Sequence, residues 1–284
     1  MAVLFKLLAC WPLWLLHLLG AAGGWLAWAL SPGYRQRWWA NTARAGVRGR
    51  ARWASVAEAG KQVAELPRLW FGPPVRVGWE GGAHIEAALR HGQGMLFLTP
   101  HLGCFEITAQ AYAERFATTQ EHGRKPMTVL FRPPRKAWAA RVLERARERP
   151  GLATAPATLA GVRQLVQALR NGEAVGLLPD QVPPEGLGVW APFFGEPAYT
   201  MTLAARFART AHTQVLLAWG ERLRWGRGFV VHVHPWSEVM GEPLAADTAE
   251  AAAQINRAME HLVQQKPAQY LWGYARYKAP RQGF

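Results

Sequence analysis

The sequence predicts an α/β fold, a single mixed and largely parallel sheet flanked by helices, preceded by an N-terminal apolar membrane-anchoring helix. Three observations carry this reading. Short apolar runs at residues 95–98, 127–131 and 173–178 each stop at a polar cluster containing proline, the pattern of buried strands with accessible C-terminal ends. Stretches with helical spacing of apolar residues separate these runs, as crossover helices separate parallel strands. From residue 7 to residue 30 the chain is apolar apart from His17, long enough for a helix to cross a hydrocarbon core. The 284 residues suit one large domain, which divides the chain into an anchoring helix at 1–33 and a folded domain at 34–284.

Taken in order, the apolar stretch is interrupted by Pro12 and by Gly20, Gly23 and Gly24. Lys6 alone precedes it, whereas Arg35, Arg37, Arg44, Arg48, Arg50 and Arg52 follow, so the positive-inside rule leaves the body in the cytoplasm. A cleaved signal peptide would put that charge on the wrong side. Residues 34–71 hold Arg with Trp, Ala and Val at helical spacing, reading as amphipathic helices on the membrane surface or packed on the domain. Phe71-Gly72-Pro73-Pro74 ends them. An extended piece at 75–79, a helix at 85–91 and a turn at Gly92-Gln93-Gly94 lead into the first buried strand.

That strand ends at Pro100, and a helical pattern begins at Ile107, so His101 falls in a strand-to-helix turn, where α/β proteins place chemistry. The second strand, 127–131, runs into Arg132-Pro133-Pro134-Arg135-Lys136. Residues 138–149 then read as a helix bearing Arg141, Arg145, Arg147 and Arg149, and residues 158–169 as another, closed by Asn171-Gly172. The third strand ends at Pro179-Asp180-Gln181. Residues 182–200, rich in Pro and Gly and carrying Trp190, Phe193 and Phe194, read as an apolar loop that covers a site or touches lipid. A helix at 202–210, paired strands at 214–219 and 229–234, and a late helix at 247–264 complete the chain.

His101 and Glu106 are the candidate chemical pair. A histidine just ahead of a helix can fold back toward a glutamate in its first turn, which then fixes the tautomer and leaves the other ring nitrogen to accept a proton. Spacing alone is a weak signal, because nine histidines and 19 acidic residues in 284 positions produce about 0.6 such matches by chance, and one occurs. The alternative is a helix-capping histidine beside a surface glutamate. His232 and His234 share a strand face and resemble half a metal site, but no third ligand is near in sequence. Cys104 reads as a small packing residue.

The net charge of +14 implies an acidic partner. Trp11, Trp14, Trp25, Trp28, Trp38 and Trp39 sit around the apolar N-terminus, which fits a membrane interface better than a nucleic-acid groove. Two cysteines, Cys10 and Cys104, make no disulfide framework, and neither a zinc-type cluster nor a Walker-type loop is present. Two readings of different classes follow: an enzyme built on His101, or a non-enzymatic basic membrane protein that binds anionic lipid or nucleic acid. Against nucleic acid, no recognisable binding module is present. Hydrolysis through Cys104 or a serine lacks a G-x-S-x-G elbow.

His101 to Glu106, Phe131-Arg132-Pro133, Leu178-Pro179-Asp180-Gln181, Ala191-Pro192-Phe193-Phe194-Gly195 and Gln269-Tyr270-Leu271-Trp272, in that order, resemble the lysophospholipid acyltransferase superfamily. The resemblance is to its branch of bacterial lipid A biosynthesis acyltransferases, the lauroyl and myristoyl transferases. It implies that residues 34–284 form an acyltransferase domain, moving a fatty acyl chain from acyl carrier protein to a hydroxyl of a lipid A precursor at the cytoplasmic face of the bacterial inner membrane. Another lysolipid, such as an ornithine lipid or lysophosphatidic acid, is the alternative acceptor. By the match, His101 is the general base and Glu106 its charge partner, while Arg132 and Asp180 line the site. Helix N–H groups near Gly103 suit an oxyanion, Arg132 suits a phosphate, and the basic segment 136–149 suits an acidic carrier protein. A thioester donor is already activated, so the reaction requires no metal or nucleotide cofactor. The chain departs from the family at Cys104-Phe105, where Asn-Trp is usual.

Overall fold

The computed structural model describes residues 2–117, 123–131 and 149–281. The apolar N-terminal stretch is two helices, α1 (Ala2–Ala9) and α2 (Leu13–Leu30), because Pro12 cannot continue the first and is held in an extended conformation that starts the second. At 18 residues α2 is about 27 Å long at 1.5 Å per residue. Among the described residues it is the one helix long and apolar enough to cross a membrane. Ser31 then accepts a hydrogen bond from the Tyr34 N–H and Pro32 occupies the first turn, so α3 (Pro32–Arg44) begins at once. Next come α4 (Gly49–Ala64) and α5 (Leu66–Phe71).

Helix α2 does not stand apart from the domain. Its Gly20 and Gly24 lie against Gly60 of α4 so closely that a Cβ on Gly60 would meet the Gly20 carbonyl oxygen at 1.9 Å, and one on Gly24 would meet the Val56 carbonyl oxygen at 2.3 Å. Trp25, Trp28, Trp38, Trp39 and Trp53 close the far end of this seam, with neighbouring ring centroids 5.3 to 6.0 Å apart. The other face of α2 is bare. Trp14, Leu18, Leu26 and Leu30 are all more than half exposed.

The body is a seven-stranded sheet in the order β1-β9-β8-β2-β5-β3-β4. Its strands are β1 (Val77–Glu80), β2 (Gly94–Leu98), β3 (Met127–Phe131), β4 (Leu152–Pro156), β5 (Ala174–Leu177), β8 (Thr213–Arg222) and β9 (Phe229–Pro235), all paired in parallel except β8 with β9. Both faces are covered, which is why β2 is apolar at every position rather than at alternate ones. Met95 and Phe97 face a core with Ile85 of α6 (Gly82–Arg90) and with Ile107 and Tyr112 of α7 (Phe105–Arg115). Leu96 and Leu98 face the opposite core, with Leu165 of α8 (Leu159–Arg170) and Ile255, Met259 and Leu262 of α11 (Thr248–Gln265). Short helices α9 (Leu203–Ala208) and α10 (Trp236–Met240) complete the layers.

The mixed, largely parallel sheet and the apolar N-terminal helix thus agree with the sequence reading. Residues 182–200 do not form a loop: β6 (Gly188–Phe193) and β7 (Glu196–Met201) make an antiparallel hairpin. Its turn holds Phe194 and Gly195 at φ of 46° and 78°, the twist a two-residue hairpin turn needs, and Pro192 faces Pro197 across a ribbon that pairs with no other strand among the described residues. Strand β4 also escaped the pattern reading. The expected basic helix at 138–149 lies outside the described residues except for Arg149, which bridges Leu152.

Candidate active site at the carboxyl edge of the sheet

Strands β2 and β5 are adjacent and parallel, with Leu98 opposite Leu177. Each then delivers a polar residue three positions on, so His101 and Asp180 arrive side by side. The His101 backbone N–H donates to Asp180 Oδ2 at 2.8 Å, and its ring Nδ1 lies 2.7 Å from Asp180 Oδ1. Tyr270 O–H donates to Oδ2 at 3.2 Å. Asp180 is 2 % exposed. Burial works to raise its pKa, but the charge and hydrogen bonds of His101, helped by the Arg276 charge, prevail and hold it below the usual carboxylate range.

An ionised carboxylate on Nδ1 requires a proton there, which leaves Nε2 as an acceptor. The Gln181 side-chain amide lies 2.9 Å from that nitrogen and donates to it. The Phe105 ring, 4.8 Å away centroid to centroid, flanks the imidazole. Such a ring can take a proton from a hydroxyl brought into the place Gln181 now fills.

The turn that carries the ring is tied down at successive residues. Leu271 N–H donates to the His101 carbonyl at 3.1 Å, Gly103 N–H to the Gln269 carbonyl at 2.9 Å, and Cys104 N–H to the Gly220 carbonyl at 2.8 Å. Gly103 sits at φ +60°, and a Cβ there would come within 2.0 Å of the Gly220 oxygen. Its own carbonyl accepts from Gln62 Nε2 at 3.2 Å and Arg222 Nη2 at 3.1 Å.

The site residues expected from the sequence are distributed as follows. His101 and Asp180 are brought together. Asp180 holds the position on Nδ1 that the sequence reading assigned to Glu106, because the neighbouring strand end reaches the ring directly. Glu106 is half-buried in the first turn of α7, where a negative charge complements the helix terminus. Gly103 is in the turn, but its N–H and that of Cys104 are spent on backbone carbonyls of the fold, so neither faces an oxyanion. Arg132 lies outside the described residues, directly after the last residue of β3, which runs beside β5. Gln181 and Tyr270 belonged to the quoted motifs without being assigned a role; Gln62 and Arg222 had no signal in the sequence. Cys104 is buried, and that burial pushes its thiol well above the ordinary range, which makes it a poor nucleophile. His232 is taken up by Glu80 and Glu221 at 2.9 and 3.1 Å and stacks on Trp219. Among the described residues no group of His, Cys, Asp and Glu is arranged to hold a metal ion.

Known proteins resemble this chain in sequence. The chain is 27% identical over 224 residues to the lipid A biosynthesis palmitoleoyltransferase of Escherichia coli (strain K12), covering 77% of this chain and 68% of that one. It is 25% identical over 201 residues to the lipid A biosynthesis myristoyltransferase of the same strain, covering 69% and 57%. With lipid A biosynthesis acyltransferase 2 of Shigella flexneri the identity is 23% over 201 residues, covering 69% and 59%. The family model for bacterial lipid A biosynthesis acyltransferases matches residues 2–279, nearly the whole chain, and the protein belongs to that family of acyltransferases.

Proposed function

We propose that the protein transfers a fatty acyl chain from acyl carrier protein to a hydroxyl of a lipid A precursor at the cytoplasmic face of a bacterial inner membrane. The observation that carries this reading is the His101 imidazole, gripped through Nδ1 by a buried ionised carboxylate, in a chain of this family. Nε2 of His101 removes the hydroxyl proton as the oxygen attacks the thioester carbonyl. The tetrahedral intermediate then collapses, the carbon–sulfur bond breaks, and the imidazolium returns its proton to the departing thiolate. Asp180 keeps the ring in the right tautomer and stabilises the imidazolium. In this reading Gln181 gives way to the acceptor hydroxyl, Glu106 adds negative charge near the ring, and Arg132 binds a phosphate of the acceptor or the carrier.

Membrane attachment is supported by the exposed Trp14, Leu18, Leu26 and Leu30 of α2, with Leu7 and Trp11 ahead of them and the arginines of α3 and α4 behind. Because α2 is bound along its length to α4, which carries Glu58 and Lys61, it is proposed to lie in one leaflet with its bare face in lipid. The test uses the purified chain, acyl carrier protein charged with a labelled acyl group, and a hydroxylated lipid A precursor. The expected product is a precursor heavier by one acyl chain, absent with His101→Ala. Label released as free fatty acid, or transferred equally by His101→Ala, would refute the assignment.

A further inference from the structure

Helix α2 has one polar side chain that is not exposed. His17 is buried, its ring edge-on to Phe229 at 6.5 Å and its Nε2 3.0 Å from Glu65 Oε2. Glu65, wholly buried between α4 and α5, receives Arg222 in a two-pronged contact, Nε to Oε2 at 2.7 Å and Nη2 to Oε1 at 2.6 Å. Arg222 ends β8 and also donates to Glu58 Oε2 at 2.8 Å and to the Gly103 carbonyl at 3.1 Å. Gln62, one turn before Glu65, donates to the same carbonyl. Gln269 closes the circuit: its side chain exchanges hydrogen bonds with the Arg222 backbone in both directions at 2.9 Å, and its backbone carbonyl accepts from Gly103 N–H. An unbroken path of hydrogen bonds therefore runs from the lipid-facing helix to a residue two positions from His101.

A buried ion pair is a poor way to gain stability, since an apolar set of similar volume packs as well or better. What Arg222 supplies that a leucine would not is direction. Its guanidinium is planar, so the two Glu65 contacts fix where the remaining N–H points, and it points at the Gly103 carbonyl. His17 and Phe229 in turn fix the Glu65 carboxylate from the α2 side.

We propose that His17, Glu65 and Arg222 are positioning residues that hold the His101 turn and make its geometry depend on the seating of α2. The proposal rests on the reading of His101 as the base and of α2 as the lipid-facing helix, and it makes the anchor a part of the catalytic turn. A loosened α2 lets Glu65 and Arg222 shift, the Gly103 carbonyl loses one of its two donors, and the imidazole is no longer held square to its substrate.

The experiment compares His17→Leu with His17→Gln in the full chain bound to vesicles containing phosphatidylglycerol, reading hydrogen exchange of a peptide covering residues 101–106 alongside kcat and KM. Leucine fits the apolar seat and keeps α2 in lipid, yet exchange at Gly103 and Cys104 is expected to accelerate at least tenfold and kcat to fall about tenfold, with KM for the acyl donor within twofold. Glutamine retains a donor and is expected to restore both readings to within threefold of the parent. Exchange at the parent rate in a folded, vesicle-bound His17→Leu overturns the relay. Should that variant not fold, Arg222→Lys keeps the charge but not the two-pronged contact with Glu65, and unchanged exchange there overturns it equally. Faster exchange with unchanged kcat disconnects the seating of α2 from catalysis and overturns the proposal, while the reading of His101 stands or falls with His101→Ala.

Discussion

Asp180 holds His101 at two points, accepting from its backbone N–H with one carboxylate oxygen and from its ring with the other. One side chain thereby sets both where the turn lies and how the imidazole is rotated. Asp180→Asn can satisfy one contact only, since an amide presents one acceptor and one donor. It is expected to lower kcat by about 10²-fold or more, in the range of acid–base catalysis, with a smaller change in KM. Steady-state assays with acyl carrier protein donor check this, and a variant within threefold of the parent kcat would discredit the role.

Glu65 makes stability depend on acid. Burial would raise its pKa, but Arg222 and then His17 bring it down to about 2, against 4.5 when unfolded. The folded state therefore binds this proton less readily than the unfolded chain. Its contribution is fully present above pH 4.5 and drains away as the pH falls toward 2. Urea unfolding between pH 6 and pH 2.5 is expected to show a loss of stability that Glu65→Gln abolishes, that variant being already weak at pH 6. Parallel pH curves for the two proteins would contradict the prediction.

The α2 seam admits no side chain at position 60. Gly60→Val must push the helices apart, at a cost of about 3 kcal/mol for overpacking. A fall in melting temperature of about 6 to 10 °C follows for a chain of this size. Gly23→Ala, on the same helix with nothing within 4 Å of the added carbon, is the control and should melt with the parent. Equal melting of all three proteins would show that the seam does not hold α2.

Arg132→Ala is expected to raise the Michaelis constant for a phosphorylated acceptor or for the carrier about tenfold, the scale of one lost charge-assisted hydrogen bond. Dephosphorylated acceptor should be handled alike by both proteins if the phosphate is on the acceptor. An unchanged constant for both substrates would remove Arg132 from the site.

The parallel strands were legible because burial on both faces writes them as unbroken apolar runs, and a proline or polar cluster marks where each stops. His101 was legible for the same reason, as the first polar group past a strand end. Its partner was not, because sequence spacing along α7 says nothing about which strand lies next to β2. Only the pairing of Leu98 with Leu177 puts Asp180, 79 positions away, nearer the ring than Glu106 is placed by its helix. The hairpin of β6 and β7 was hidden by its prolines, which weaken a strand reading unless the strand is known to have a free edge. Arg222 looked like any surface arginine in a basic chain, since nothing local marks it for burial.

The contact between Glu65 and Arg222 spans 157 residues of sequence. At about 5–20 residues per second on the ribosome, the carboxylate waits roughly 8–30 s for its counter-charge to be made. During that interval the helices on either side of it carry an acid whose buried partner does not yet exist. Helices α2 and α4 are thus made well before the residue that locks them together, and a nascent chain halted before β8 would hold Glu65 without Arg222 and the Gly103 carbonyl without one of its two donors.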